Sequence, residues 1–381
     1  MKMPSLKAPS LPSMPAWSSP SFSLSKRGKG KESALVGLEI EAGSIGAAEV
    51  RRNGSVHVSA VATAALPPES FHDGEVADPE SVTEAIRELF AQNKLGKRVR
   101  LGIANQRVVV RTIRLPAIEN PDELDAAVRF AAQEQIAMPL DQAVLDHRVV
   151  GGVAASEGMA PQVDVMVVAA RRDMIAASLK PLRDAGLEPV GVDLSAFGMI
   201  RALGEAAAPA DPERPAATPA VLYCYIGDVT NLAVAKGRSC LFTRVSPAGL
   251  EDAVSGLAAS TGLSQEHAKQ WLEHVGLERP VAEIEGDPDT VGRARAALEN
   301  GAASLLDELR LSLDFYAAQE TAVPVKSVVV CGPGSVIPGL TSQMEPVLGL
   351  PISIGQSAAL GGFDPVTAAR ITLPFGLALE S

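Results

Sequence analysis

The chain has 381 residues, a net charge of −11, and a composition that is 46% hydrophobic but 4% aromatic. That length suits two domains or one clefted pair, with cores of Val, Leu, Ile and Ala rather than rings. The acidic balance argues against general nucleic-acid binding, so no nucleic-acid partner is expected.

No apolar run approaches the roughly 20 residues a bilayer span requires, and the N-terminus has no signal-peptide h-region. A cytoplasmic protein is expected, with any membrane association arising through a partner or the N-terminal tail. Cys224, Cys240 and Cys331 lie far apart in apolar runs with no metal-ligand spacing, and read as buried reduced thiols.

Residues 1–33 differ from everything after them. They hold five prolines between Pro4 and Pro20, and six basic residues against the single acid Glu32. Such a stretch cannot bury enough apolar surface to fold, and reads as a disordered basic Ser/Pro-rich tail. A second reading is a peripheral tether, with KRGKGK at 26–31 touching anionic lipid and Trp17 and Phe22 as anchors.

The folded part starts near Ala34. β-Branched content and the Arg52-Asn53-Gly54 turn signal predict strands at 34–40, 46–52 and 55–63. Ser81-x-x-Glu84 predicts a capping box for a helix with Ile86, Leu89 and Phe90 inward. Strands follow at 99–105 and 107–114. Asn120-Pro121 predicts a second helix start, with Leu124, Ala127, Val128 and Ala131 along one face. A strand at 163–170 and a helix at 172–186 complete the first half, 34–204.

The Pro/Ala-rich stretch 205–219 lacks periodicity and reads as a linker to a second half, 220–381. There, strands are predicted at 221–226, 230–236 and 240–245, and helices at about 248–261, 264–276 and 289–318. A strand at 326–331, a helix from about 337 and a strand at 351–354 close the chain. The order of strands and helices in each half predicts an α/β fold with mixed sheets.

Three turns carry the candidate chemistry. VGLEIEAGSIGAAEV (36–50) and VLYCYIGDVTNLAV (221–234) look like two copies of one strand–turn–strand unit, and CGPGSVIPGL (331–340) ends a third strand. Polar turns with Gly can aim backbone N–H groups at an anion, and a Gly turn opening a helix adds another anion contact. Facing each other, such turns describe an actin/Hsp70-type cleft, with a ribonuclease H-like lobe on either side. The candidate nucleotide contacts are Ala42, Gly43 and Ser44; Gly227, Asp228, Thr230 and Asn231; and Gly332, Pro333, Gly334 and Ser335. Other chemistry is not indicated: the five histidines are scattered, and Gly-x-Ser-x-Gly, P-loop and CxxC motifs are missing. No catalytic residue and no metal ligand is assigned.

These segments, with 115–150 and LRLSLDFYAAQ at 309–319, resemble the PilM family, actin-like cytoplasmic proteins of type IV pilus assembly related to FtsA. The resemblance covers 34 to about 377. It implies a two-lobed fold around an ATP and Mg²⁺ cleft, a 1C-type subdomain inserted at about 113–190, and a helical subdomain at about 248–320. It also implies a scaffold beneath the inner membrane that holds the N-terminal peptide of a bitopic PilN-like partner and links to the pilus motor ATPases. The implied peptide groove lies between the inserted subdomain and the first lobe. Leu124, Val128, Ala131, Met138 and Leu140 are the candidate anchors, giving a binding that depends little on salt.

This chain departs from the family at the turns. Glu39-Ile40-Glu41 stands where members carry Asp-Ile-Gly, and Tyr225-Ile226-Gly227 replaces a second Asp-Ile-Gly. The usual Ala-Glu-x-x-Lys positions fall on Lys269 and Leu272. Hydrolysis needs neutralised phosphates and an oriented water; Glu41 adds negative charge where a phosphate would sit, and Tyr225 leaves out a carboxylate that would organise Mg²⁺ and water. The chain is therefore not expected to be an enzyme, while nucleotide binding stays open. Two other classes compete with the scaffold: an FtsA-like polymerising protein and a catalytically active actin-like ATPase. The stretch 371–381 is too short and uncharged for the membrane-targeting helix of the former, and Tyr225 argues against the latter.

Overall fold

The computed structural model describes residues 34–67, 69–153, 160–204, 219–319 and 322–379. The tail 1–33 and all of the 205–219 linker except Pro219 lie outside the described residues.

The first lobe is a five-stranded sheet. β1 (Leu35–Glu41), β2 (Ser44–Asn53) and β3 (Ser55–Ala65) form an antiparallel meander. A small hairpin follows, β4 (Phe71–His72) and β5 (Glu75–Val76), then α1 (Pro79–Asn93) and β6 (Arg98–Ile103), which pairs in parallel with β1. α1 starts before the predicted capping box. Asp78 is its N-cap, accepting from the Glu80 and Ser81 N–H groups at 3.0 and 3.2 Å, and Pro79 takes the first helical position.

The chain then leaves the lobe for an inserted subdomain. β7 (Val109–Pro116), α2 (Pro121–Gln135), β8 (Ala143–Val153) and β9 (Gln162–Arg171) build a three-stranded antiparallel sheet, order β7-β9-β8, with α2 on one face. It returns through α3 (Arg172–Asp184), β10 (Glu188–Leu194) and α4 (Ser195–Leu203). Met174, Ile175, Leu179 and Leu182 of α3 belong to the first-lobe core, so the insertion ends near Arg171 rather than near 190.

The second lobe repeats the plan. β11 (Ala220–Ile226), β12 (Thr230–Lys236) and β13 (Ser239–Ser246) form a second meander. α5 (Glu251–Thr261), α6 (Gln265–Val275) and α7 (Pro288–Ala317) follow, packed with the sheet in one core. β14 (Val325–Cys331), α8 (Leu340–Leu348), β15 (Ile352–Ile354) and α9 (Pro365–Ala378) finish it. The sheet orders are β3-β2-β1-β6-β10 and β13-β12-β11-β14-β15, one topology used twice. The glycine turn after β14 opens a short 3-10 turn, Pro333–Val336, and α8 begins only at Leu340, later than predicted.

Two helices cross between the lobes. α4 packs Ala196, Met199 and Ile200 with Tyr223, Tyr225, Ala233 and Ala235 of the second sheet. α9 packs Ala368, Ile371 and Phe375 with Ala48 and Val50 of the first. The helices meet so closely that a Cβ on Gly376 would lie 1.8 Å from the Gly198 carbonyl oxygen. This crossing sets the lobes face to face and puts the β1–β2 and β11–β12 turns on opposite sides of one cleft. The three cysteines are buried and free. Among the described residues, no helix is long and apolar enough to cross a membrane.

Candidate functional site

β1 and β2 pair as far as Glu41 with Ser44, leaving Ala42-Gly43 as a tight turn. β11 and β12 pair as far as Ile226 with Thr230, leaving Gly227–Val229. The second turn is tied to the start of α5: Leu250 N–H donates to the Gly227 carbonyl at 2.9 Å, and Glu251 N–H to that of Asp228 at 3.3 Å. The turns touch across the cleft, where Gly43 N–H donates to a carboxylate oxygen of Asp228 at 3.2 Å.

Around this contact lies a cavity of about 200 Å³. One wall is Glu39, Glu41, Ala42–Gly46 and Thr63–Ala65; the other includes Tyr225, Asp228, Glu251, Glu266, Lys269 and Arg370. The candidates Ala42, Gly43, Ser44 and Asp228 therefore share one site. The others are held behind it. Gly332–Ser335 is buried and is not part of the wall, with the Ser335 hydroxyl donating to the Gly332 carbonyl at 2.7 Å. Thr230 donates to the Ala248 carbonyl at 2.6 Å, and Asn231 is buried with its side-chain oxygen unpaired.

Tyr225 separates these two sets. Its ring is fully buried against both glycine turns: a Cβ on Gly227 would lie 2.6 Å from it, and one on Gly332 2.8 Å. Gly332 also has φ +84°, which glycine adopts without strain. Both glycines thus make room for the Tyr225 ring.

The charges in the cavity are crowded. Glu39 is buried and its pKa is pushed up to about 8, by burial above all, with the Ser195 hydroxyl opposing at 2.7 Å and Glu41 adding to the rise. Gly102 makes room for this carboxylate, since a Cβ there would lie 2.0 Å from it. Glu41 is also pushed up to about 8, by burial and then by Asp228, with Lys269, the Asp228 N–H and Arg370 opposing. Glu251 is raised by burial and then by Asp228. At the mouth, His72 Nδ1 stands 3.2 Å from a Glu251 carboxylate oxygen. The neighbouring Asp73, then Glu251, raise the His72 pKa.

A triphosphate does not fit this arrangement. The Gly43 donor is already engaged by a carboxylate. Five acids line the cavity (Glu39, Glu41, Asp228, Glu251, Glu266) against two cations, Lys269 and Arg370, and Glu39 and Glu41, pushed up to about 8, occupy it near neutral pH mostly as protonated groups that take up space a phosphate would need. The volume is below the roughly 300–1,000 Å³ of typical small-molecule sites. Among the described residues, no three His, Cys, Asp or Glu side chains are grouped to hold a metal ion.

A second concavity, about 490 Å³, lies between the inserted subdomain and the first lobe. Asp146–Val150 of β8 and Val190–Leu194 of β10 line it as consecutive residues. Consecutive lining brings the strand edges to these walls, because successive side chains alternate between faces, while the alternating Met166/Val168 of β9 and Arg98/Arg100 of β6 add sheet faces. Both are terminal strands of their sheets, β8 in the insertion and β10 in the first lobe. Met166, Val168, Phe197 and Ile200 add apolar surface, and Arg98, Arg100, Arg148, Arg201 and Arg238 add charge. Arg201 pairs with Asp193, and Arg100 donates to the Leu377 and Leu379 carbonyls at 3.1 and 2.9 Å. Arg98, Arg148 and Arg238 are exposed.

The candidate partner residues do not line this groove. Val128 is fully buried, and Leu124, Ala131, Met138 and Leu140 pack with it against Ile113, Leu115, Val165 and Val167. They form the insertion's own core, because α2 has one apolar stripe and the subdomain sheet covers it. Sequence reading missed the groove residues, which come from six separated segments and show no common period.

Two lobes of one repeated topology, joined by crossing helices around a cleft, define an actin-like fold. The family model described as type IV pilus assembly protein PilM matches residues 37–359. The chain belongs to that family. A solved PilM–PilN type IV pilus biogenesis complex is similar at 26% identity over 91% of this chain and 98% of that one, with a TM-score of 0.72. The ethanolamine utilization protein EutJ from Carboxydothermus hydrogenoformans shares the fold at 15% identity, over 91% of this chain and 90% of that one, with a TM-score of 0.51.

Proposed function

We propose that this protein is a cytoplasmic scaffold of the type IV pilus machine, and that it holds the N-terminal cytoplasmic peptide of a PilN-like inner-membrane protein between β8 and β10. The observation that carries this reading is the groove itself, bordered by two terminal strand edges. An extended peptide satisfies such an edge with backbone hydrogen bonds and gains selectivity from side-chain pockets. Val149, 45% exposed, and the half-buried Val192 and Phe197 supply apolar contacts. Association with the inner membrane then runs through the partner, and the pilus motor ATPases are further partners under the same reading.

Charge changes one expectation. Three exposed arginines in the groove favour a peptide with acidic residues, so binding should weaken with salt instead of ignoring it. The scaffold reading asks for no hydrolysis.

Calorimetric titration of the partner's N-terminal peptide into the full chain tests this reading. One-to-one binding is expected, weakened about thirtyfold in Val149→Asp. No heat with folded protein would refute it. An affinity unchanged in Val149→Asp would move the site elsewhere.

A further inference from the structure

We propose that a clasp between the two turns, Gly43 N–H on the Asp228 carboxylate with the Glu41 carboxylate packed against Gly227, joins the lobes where a nucleotide's phosphates would otherwise bridge them, so that this chain's cleft does not take a nucleoside triphosphate. This goes beyond the scaffold reading and stands or falls separately from it.

Each half of the clasp uses a group that a phosphate would need. In an actin-like cleft the first turn's backbone donors face the anion, and here Gly43 faces Asp228 at 3.2 Å. The second turn, Gly227–Val229, faces a carboxylate as well, that of Glu41. Glu41 lies hard against that turn: a Cβ on Gly227 would be 2.0 Å from its carboxylate oxygen. The Tyr225 ring wedges against Gly227 and Gly332, so that the turn after β14 is walled off from the cavity. Outside the clasp, His72 and Glu251 close the mouth at 3.2 Å.

The three substitutions fit together sterically. Glu39 needs the space left by Gly102 and is met by Ser195 at the start of α4. Glu41 needs the space left by Gly227, and Tyr225 that left by Gly227 and Gly332. Together they build a packed interface between the lobes. The raised pKa values of Glu39 and Glu41 agree with this packing, because burial is the leading cause in both.

The test has two arms, both on the full chain. In the first, thermal unfolding is followed with millimolar Mg-ATP, Mg-ADP or pyrophosphate. A ligand far above its Kd raises Tm, so an unmoved Tm is expected with all three. A saturable rise of several degrees with any of them would overturn the proposal. In the second, amide hydrogen exchange is read at Gly43. Asp228→Ala should speed that exchange at least tenfold, whereas Asp228→Asn, which keeps an oxygen acceptor, should leave it within about threefold. Equal protection in wild type and Asp228→Ala would overturn the clasp. The first arm needs no variant, so a variant that fails to fold does not remove the test.

Discussion

Two concavities among the described residues have opposite character. The interlobe cleft is small, acidic and spanned by its own hydrogen bonds. The groove between the insertion and the first lobe is more than twice as large, carries exposed arginines and is bordered by strand edges. In the cleft, the Gly43 donor meets the Asp228 carboxylate of the same chain. In the groove, two sheets end without a further strand. The cleft and the groove proposed for the peptide are thus separate surfaces of one frame.

That frame is the first place to break the comparison. Gly376→Val puts side-chain atoms where a single Cβ already lies 1.8 Å from the Gly198 carbonyl oxygen. The α4–α9 crossing must then separate, at a cost of about 3 kcal/mol, the upper end of the usual overpacking range. A large drop in Tm is expected, with weakened peptide binding in the destabilised protein. Wild-type Tm in this variant would mean that the crossing does not hold the lobes.

Val149→Asp addresses the groove alone. It puts a charge where an apolar anchor would seat and should cost the peptide about 2 kcal/mol, some thirtyfold in Kd. Tm should stay put, because Val149 is 45% exposed. Val128→Ala is its mirror image. It opens a cavity in the insertion's core and should cost about 1 kcal/mol of stability, with peptide affinity little changed. If Val128→Ala abolished binding in folded protein and Val149→Asp did not, the groove assignment would be reversed.

The remaining prediction concerns the cleft and pH. Burial pushes the Glu39 pKa up to about 8 from the ordinary 4.5. The neutral form is favoured in the folded state, so its contribution is fully present below about pH 4.5 and is lost as pH rises through 8. Stability should therefore decline between about pH 5 and 8, by up to about 1.4 kcal/mol per pH unit for this group. Glu39→Gln keeps a neutral group of the same shape beside Ser195 and should flatten that decline. An unchanged slope of Tm against pH would show that Glu39 titrates normally.

The hairpins at the cleft were legible because each is local. β1–β2 and β11–β12 show β-branched or apolar runs broken by a Gly-bearing turn, and a hairpin needs nothing from distant sequence. α9 was not legible. Pro374 and Gly376 both argue against a helix by propensity, yet its burial and the Gly198 crossing override that preference. β10 begins at Glu188-Pro189 and carries Gly191, which hides a seven-residue strand. β8 was missed as well, and with it both walls of the groove. The partner face on α2 was a correct helix with the wrong role, since periodicity shows that a stripe is covered but not by what. The cavity charges could be read as residue types, whereas the reach of Asp228 to Gly43 depends on the helix crossing on the far side of the lobes.

The most direct test of the account is a calorimetric titration of the partner's N-terminal peptide into the full chain, repeated with and without millimolar Mg-ATP. The account predicts one-to-one binding of equal affinity in both, because the groove binds and the clasped cleft takes no nucleotide. No binding, or an affinity that changes tenfold with Mg-ATP, would contradict it.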